Sequence, residues 1–434
     1  VNGIRNDSNL RRRPKHPMQS MKSIHRVILA TSLLGAISVR AEDQGVFSRG
    51  LTGDSAYDKI WSAATLYKDE NNPILQEFSL QGRLQIQYFN MDSNVGDLDT
   101  GDYKDHSPSN DERVWGDSLE VRRARFGFKS KWFQNWKFEG QINVDTDADA
   151  SLYKDLYDLY ITYAPSDALN VSVGKTKVKF TREQEISSKE ILTFERGLLS
   201  NLLFPGELTG VWVNGKGIAD HWLYEVGVYG NDRQREFSEL DAGAIILAKI
   251  GYDYSANVGW DTAVASVHFM HNTEPGYLED TTSNNFTPSA SPAFENSIAI
   301  TNDIVQGRFG LTTEAIYGFG KDRSDVYGLT VIPSYFIADG LQLVARFQVA
   351  ASDEGDGIAL PSRYEGLTNS GVVNADHRPV ALDRTGSTYT AGYLGLNYYV
   401  YGHKLKLMGG FEYAKLGGGA YEGTTWMTGL RMFF

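Results

Sequence analysis

Cysteine is absent from the 434 residues. Neither a disulfide nor a thiolate-bound metal can hold this chain together, although the composition remains compatible with an oxidising compartment. Outside residues 21–41 no apolar run approaches 18 residues, which excludes a membrane-spanning helix. A chain of this kind enters a bilayer only as a closed barrel of strands, because lipid cannot satisfy open backbone groups. Positive charge is also in deficit: the net charge is −12, which argues against nucleic acid as a partner. Proline is scarce, 12 against 44 glycines, and aromatic residues reach 12%, a balance suited to many strands joined by tight turns.

Catalytic and cofactor patterns are missing as well. The 8 histidines include no HExxH, and His268 and His271 stand as a pair without companions. "VGKT" at 173–176 lacks the upstream glycine of a phosphate loop. Asp145, Asp147 and Asp149 imitate the start of a calcium loop, but Ala150 replaces the turn glycine and Leu156 the bidentate glutamate. The expectation is no enzyme, no metal and no cofactor.

Near the N-terminus, "MKSIHRVILATSLLGAISVRA" at 21–41 places Lys22 and Arg26 before a short apolar run and ends on small Ala41. That is the pattern of an export signal, and residues 1–20 read as upstream sequence translated from an early start. Removing 1–41 takes away eight basic residues and one acidic one, leaving a still more acidic chain. Residues 42–77 are expected to form a segment on the periplasmic side. Within it, "DSAYDKIWSAATLYKDE" predicts a short helix capped by Asp54 or Ser55, with Ile60, Ala63, Ala64 and Tyr67 along one side.

From residue 78 onward the chain divides into sixteen alternating segments of about ten residues, near 78–90, 118–132, 135–145, 155–164, 168–177, 208–215, 220–230, 243–254, 260–271, 297–305, 307–319, 325–336, 340–351, 387–400, 403–415 and 424–434. Short and long connections alternate, so short turns fall on one side and long loops on the other. A soluble sandwich has no reason to sort its loops by parity. The predicted fold over 78–434 is therefore an all-β, transmembrane antiparallel barrel of about 16 strands in an outer membrane of Gram-negative type. In "TTWMTGLRMFF", Trp426, Leu430, Met432 and Phe434 face lipid, with Arg431 on the lumen side, and this strand pairs with the first.

The same parity assigns an interior. Lys137, Glu139, Gln141, Asn143 and Asp145 alternate with Trp136, Phe138, Gly140, Ile142 and Val144. Arg308 and Glu314 oppose Phe309, Leu311, Ala315, Tyr317 and Phe319, while Arg346 and Gln348 oppose Leu343, Ala345 and Phe347. A Lys or Arg facing lipid at mid-bilayer costs about 2 to 4 kcal/mol, so the charged set points inward. With Ala124, Phe126 and Phe128 outward, Arg123, Arg125, Lys129 and Lys131 form a ladder of cations. Lys175, Lys177 and Lys179 share parity with Val171 and Val173; either a bulge changes their face or they already belong to the following loop.

"GRLQIQYF", "SLEVRRARFGFKSKWFQNWKFEGQINVD", "LYDLYITYAPSDALNVSVGKTKVKF" and "ILTFERGLLSNLLFPGELTGVWV" resemble, in order and spacing, the phosphate-selective porin family, the O and P porins of Gram-negative outer membranes. The resemblance is clear over about 78–230. It implies a sixteen-stranded homotrimer whose third long loop, here 178–207, folds into the lumen and forms an anion-selective constriction with basic wall residues. It carries Arg123, Arg125, Lys175, Lys177 and Arg196 over as matching positions. Lys129, Lys179, Arg182, Lys189, Arg308 and Arg346 complete the expected anion pathway. Small, phosphate-like anions are the expected solutes, outer-membrane lipid the surroundings, and the barrel assembly machinery the reader of the terminal aromatic. Glu195 beside Arg196 suggests a loop-fixing ion pair. The outer loops at 91–117 and 141–154 are acidic rather than lysine-rich, which keeps a general or other-solute porin in view, beside a structural or adhesive barrel without a pore.

Overall fold

The computed structural model describes residues 55–93, 114–146, 152–232, 234–275, 294–321, 324–354, 357–359, 385–417 and 421–434. The expected upstream stretch, the export signal, Asp54, Asp147 and Asp149 lie outside them. The described chain opens with helix α1 (Ala56–Ser62) and strand β1 (Thr65–Lys68). Then come β2 (Leu75–Ser93), β3 (Val114–Trp132), β4 (Trp136–Val144), β5 (Tyr153–Ser166) and β6 (Leu169–Lys177). Two short helices, α2 (Arg182–Glu185) and α3 (Leu198–Leu202), precede β7 (Glu207–Ile218), β8 (Trp222–Gly230) and β9 (Ala244–Asp253). After the single turn α4 (Ser255–Val258) follow β10 (Thr262–Asn272), β11 (Phe294–Gln306), β12 (Phe309–Gly320), β13 (Val326–Ala338) and β14 (Leu341–Ser352). A two-residue ladder, β15 (Ile358–Ala359) with β16 (Thr385–Gly386), precedes β17 (Thr388–Tyr401), β18 (Leu405–Leu416) and β19 (Tyr421–Phe433).

Strands β2 to β14 and β17 to β19 make a closed 16-strand antiparallel barrel in which each strand pairs with its sequence neighbours. All sixteen predicted segments are strands, and the short and long connections fall on opposite rims. Side-chain exposure follows the predicted parity. Phe347 is 58% exposed and Trp426 59%, whereas Arg346 and Arg431, on the opposite faces of the same strands, are 3% and 2% exposed. The outward set matches lipid; the inward set is polar and charged.

Closure is made by β19 on β2, from Gly423 opposite Ser93 to Phe433 opposite Arg83. Phe434 completes it with a reciprocal pair of backbone bonds to Gly82, each 3.1 Å. A Cβ at residue 82 would stand 2.4 Å from the Phe434 ring, so glycine admits the ring against the seam. Strand β2 continues past this point, and β1 takes over its exposed edge, with Thr65 opposite Ser79 and Lys68 opposite Glu77.

Helix α1 holds β1 there. Ser55 caps it: its hydroxyl accepts the Asp58 N–H at 3.1 Å while the Asp58 carboxylate accepts the Ser55 N–H at 3.3 Å. The predicted apolar side is corrected. The helix ends at Ser62, Ile60 is exposed, and Ala63, Ala64 and Tyr67 lie beyond its end. The chain must extend there to reach the edge of β2, so Tyr57 and Trp61, one turn apart, pack on Tyr401 instead, with ring centroids at 5.3 and 4.9 Å. The Trp61 indole donates to the Phe433 carbonyl at 2.6 Å, and the Tyr401 hydroxyl donates to Asp58 at 2.6 Å. Trp61→Phe keeps the ring but removes the donor; it should lower unfolding stability by about 1 kcal/mol. The measurement is the urea midpoint of the folded barrel in detergent, and an unchanged midpoint would show that the helix carries no part of the seam.

Candidate functional site: a loop across the lumen

The connection from β6 to β7 folds into the barrel because of what it contains. Val178, Phe180, Ile191, Phe194, Leu198, Leu199 and Leu203 are buried to 4% exposure or less, against inward residues such as Phe89, Met91 and Met427. That much apolar surface is stable only when removed from water. The loop base is closed by the Val178 N–H on the Gly206 carbonyl at 3.0 Å. On the facing wall, a Cβ at Gly328 would lie 2.8 Å from Leu199, and one at Gly318 2.8 Å from Leu203; the missing side chains make room for the loop's leucines.

Wall polar groups then pin the loop's backbone. Gln85 donates to the Ser188 carbonyl at 2.8 Å, and Arg83 donates to the Ser188 hydroxyl. Arg431 donates to the carbonyls of Phe194 at 2.5 Å and Ser188 at 3.2 Å, Lys406 to Ile191 at 2.7 Å, and Asn397 to Leu192 at 2.9 Å. In the other direction, Glu314 accepts the Glu183 N–H at 2.6 Å and Gln348 the Leu198 N–H at 2.7 Å. The most connected of these groups is Arg346, which pairs with Glu412 at 2.8 Å and Glu183 at 3.5 Å and donates to the Glu195 carbonyl at 2.5 Å. Its charge is buried and balanced by two carboxylates, so it acts as an anchor.

The other predicted cations divide between anchors and a second group. A bulge between Gln85 and Ile86 on β2 admits an extra residue on β3. It lets adjacent Arg122 and Arg123 both turn inward, while Val121 is exposed on the outer face. Arg122 grips Glu195 with two bonds of 2.5 and 2.9 Å, and Arg123 donates to Gln85 at 2.7 Å and lies 3.9 Å from Glu195. Glu195 therefore pairs with the wall rather than with neighbouring Arg196, which donates to the loop carbonyls of Glu183 at 2.6 Å and Ile186 at 2.8 Å. Arg182 is engaged by Asp303 at 2.6 Å and Glu185 at 3.4 Å.

Arg125 faces Arg83 directly across the β2–β3 ladder, donates to Asn143 at 2.7 Å and lies 3.2 Å over the Tyr157 ring. Lys177 stands within electrostatic reach of Arg196, Lys179 and Arg125. Lys189 lies 5.0 Å over the Phe433 ring and within reach of Arg83, Glu139 and Asp158. Burial first, and then the Arg83 charge, lower the Lys189 ammonium pKa to about 8. These groups form a basic stretch along the β2–β6 wall and the adjoining face of the loop.

Three predicted positions belong to neither group. Lys129 sits toward the short-turn rim, 3.5 Å from Glu77 and largely exposed. Arg308 lies in the β11–β12 turn and pairs with Asp339 at 2.9 Å. Lys175 occupies the outer row with Leu159 and Thr209, as its shared parity with Val173 requires. It is covered by the β8–β9 connection, donating to the carbonyls of Gln234 at 2.7 Å and Arg235 at 3.1 Å. Arg83, Arg122, Lys406 and Arg431 join the site although the predicted pathway omitted them. The alternation in "GRLQIQ" and "KLKLM" marks two of them, and the doubled arginine of "RRAR" hints at the bulge.

The family model described as phosphate-selective porin O and P matches residues 88–415. No curated protein matches the chain. Among solved structures, a loop-deletion mutant of OmpT, an outer membrane protein of Vibrio cholerae, is 13% identical, with 82% of this chain and 99% of that chain covered and a TM-score of 0.51. OmpT in trimer form, from the same organism, gives 13%, 82%, 99% and 0.50. The outer membrane channel DcaP of Acinetobacter baumannii gives 15%, 85%, 100% and 0.47. At these identities the likeness to the OmpT structures is one of fold. The family match takes in most of the barrel, and the chain belongs to the phosphate-selective porin O and P family, as a porin of the Gram-negative outer membrane.

Proposed function

We propose that this porin passes small anions, phosphate among them, by passive diffusion along the basic stretch of the β2–β6 wall. The observation that carries this reading is how the charges are shared out. Loop carboxylates Glu183 and Glu195 are engaged by Arg346, Arg122 and Arg123, whereas Arg125 and Arg196 lie within electrostatic reach of both Arg83 and Lys177, and Lys189 within reach of Arg83. Guanidinium and ammonium groups in series replace part of an anion's hydration while no single one holds it. Asp158 and Glu139 stand beside them and temper the field, which favours passage over retention. A homotrimer is part of the same proposal, supported by the family resemblance and by the trimer form of the OmpT structure. So is recognition of the aromatic C-terminal strand by the barrel assembly machinery.

In a planar bilayer under a potassium chloride gradient, the reversal potential should show chloride preference; a cation-preferring potential would overturn the reading. A unit charge about 4 Å from an ion in water is worth about 1 kcal/mol, so Lys177→Gln should reduce the chloride-to-potassium permeability ratio roughly fivefold. The preference should also decline as pH rises through about 8, where Lys189 loses its proton, and Lys189→Gln should flatten that decline. Arg346→Leu tests the anchor. It strands Glu183 and Glu412 and should cost about 3 to 5 kcal/mol of stability in denaturant unfolding, whereas Lys177→Gln leaves stability nearly unchanged.

A further inference from the structure

Across the lumen from the basic stretch, under the loop at Leu192, the β11–β14 wall and β17 enclose a recess at the short-turn rim. Its volume is about 190 Å³, and it opens to bulk water. Its walls are aromatic on one side: Phe336 and Tyr399 lie 5.7 Å apart, and His403 meets Tyr399 edge-on at 5.0 Å. Polar groups sit beside them. The Tyr399 hydroxyl donates to the Gln342 carbonyl oxygen at 2.5 Å, which leaves the amide nitrogen of Gln342 as a donor, and the Ser334 hydroxyl also lines the recess.

Formal charge in the lining is already matched. Asp303 accepts Arg182 at 2.6 Å and Thr312 at 2.7 Å, and Arg308 pairs with Asp339 at 2.9 Å. His403 lies in the turn between β17 and β18, where burial and then the Lys406 charge keep it neutral, with a pKa of about 3. An ion entering here would lose hydration without gaining an unpaired partner. A purely apolar solute would leave Ser334 and Gln342 unmatched. A pyranose-like ring offers an apolar face to the aromatic wall and hydroxyls to the polar groups.

We infer that this recess is a binding subsite for an uncharged, polyhydroxylated, sugar-like solute, entered from the periplasmic mouth and separate from the basic stretch. The test uses the full porin in a planar bilayer, with maltose added on the periplasmic side. Maltose should interrupt the potassium chloride current in a concentration-dependent way. Phe336→Leu and Gln342→Leu should each raise the half-blocking concentration about tenfold, the equivalent of one aromatic contact or hydrogen bond, while the reversal potential stays unchanged. Ser334→Ala removes only a hydroxyl and should shift the block in the same direction, which covers the case of a larger substitution impairing folding. Absence of maltose block in a channel of normal conductance overturns the inference, as does block of equal strength in all three variants. Either result leaves chloride preference standing, and a cation-preferring reversal potential would remove the anion reading without touching the subsite.

Discussion

The structure depends first on closing the backbone hydrogen-bond ladder. Lipid offers no partner to an open strand edge, so β19 must find β2, and the reciprocal bonds between Phe434 and Gly82 carry the closure to the last described residue. Because β2 runs beyond that point, its remaining edge is covered by β1, with α1 fastened to Phe433 and Tyr401. The N-terminal segment and the terminal strand thus belong to one seam.

A second opening in the wall arises where β6 bends inward as the loop. The Leu156 N–H on β5 then has no β6 partner, and the Arg235 carbonyl takes it at 2.9 Å. Ser238 likewise donates its N–H to Thr209 on β7 at 2.8 Å. The β8–β9 connection therefore seals the wall that the inward loop leaves, and Lys175 is spent on that seal. A lysine beside the lumen loop thus contributes to the wall.

Inside, cations do two kinds of work, set by their partners. Arg346, Arg122, Arg431 and Lys406 meet carboxylates or carbonyls of the loop and hold it across the lumen. Burying a guanidinium is tolerable only with such partners, and two carboxylates beside Arg346 meet that need. Arg125 and Lys177 instead have mostly other cations as their charged neighbours. Because the anchors fix the loop from several strands, the basic stretch beside it has a fixed geometry.

Strand number, strand faces and the parity of loop lengths were legible in the sequence, because alternation is a local property that lipid enforces residue by residue. Arg346 opposite Phe347 and Arg431 opposite Trp426 could be assigned to the lumen from that alternation alone. The basic character of 122–131 and 175–196 was likewise plain. What each cation does was decided by tertiary structure. Arg122 turns inward through a bulge, which breaks the alternation that sequence reading relies on. Its partner Glu195 is 73 residues away, and Arg431 reaches Phe194 across 237. Partners that distant meet only once the barrel has closed and the loop has folded into it, and local pattern carries no record of such pairings.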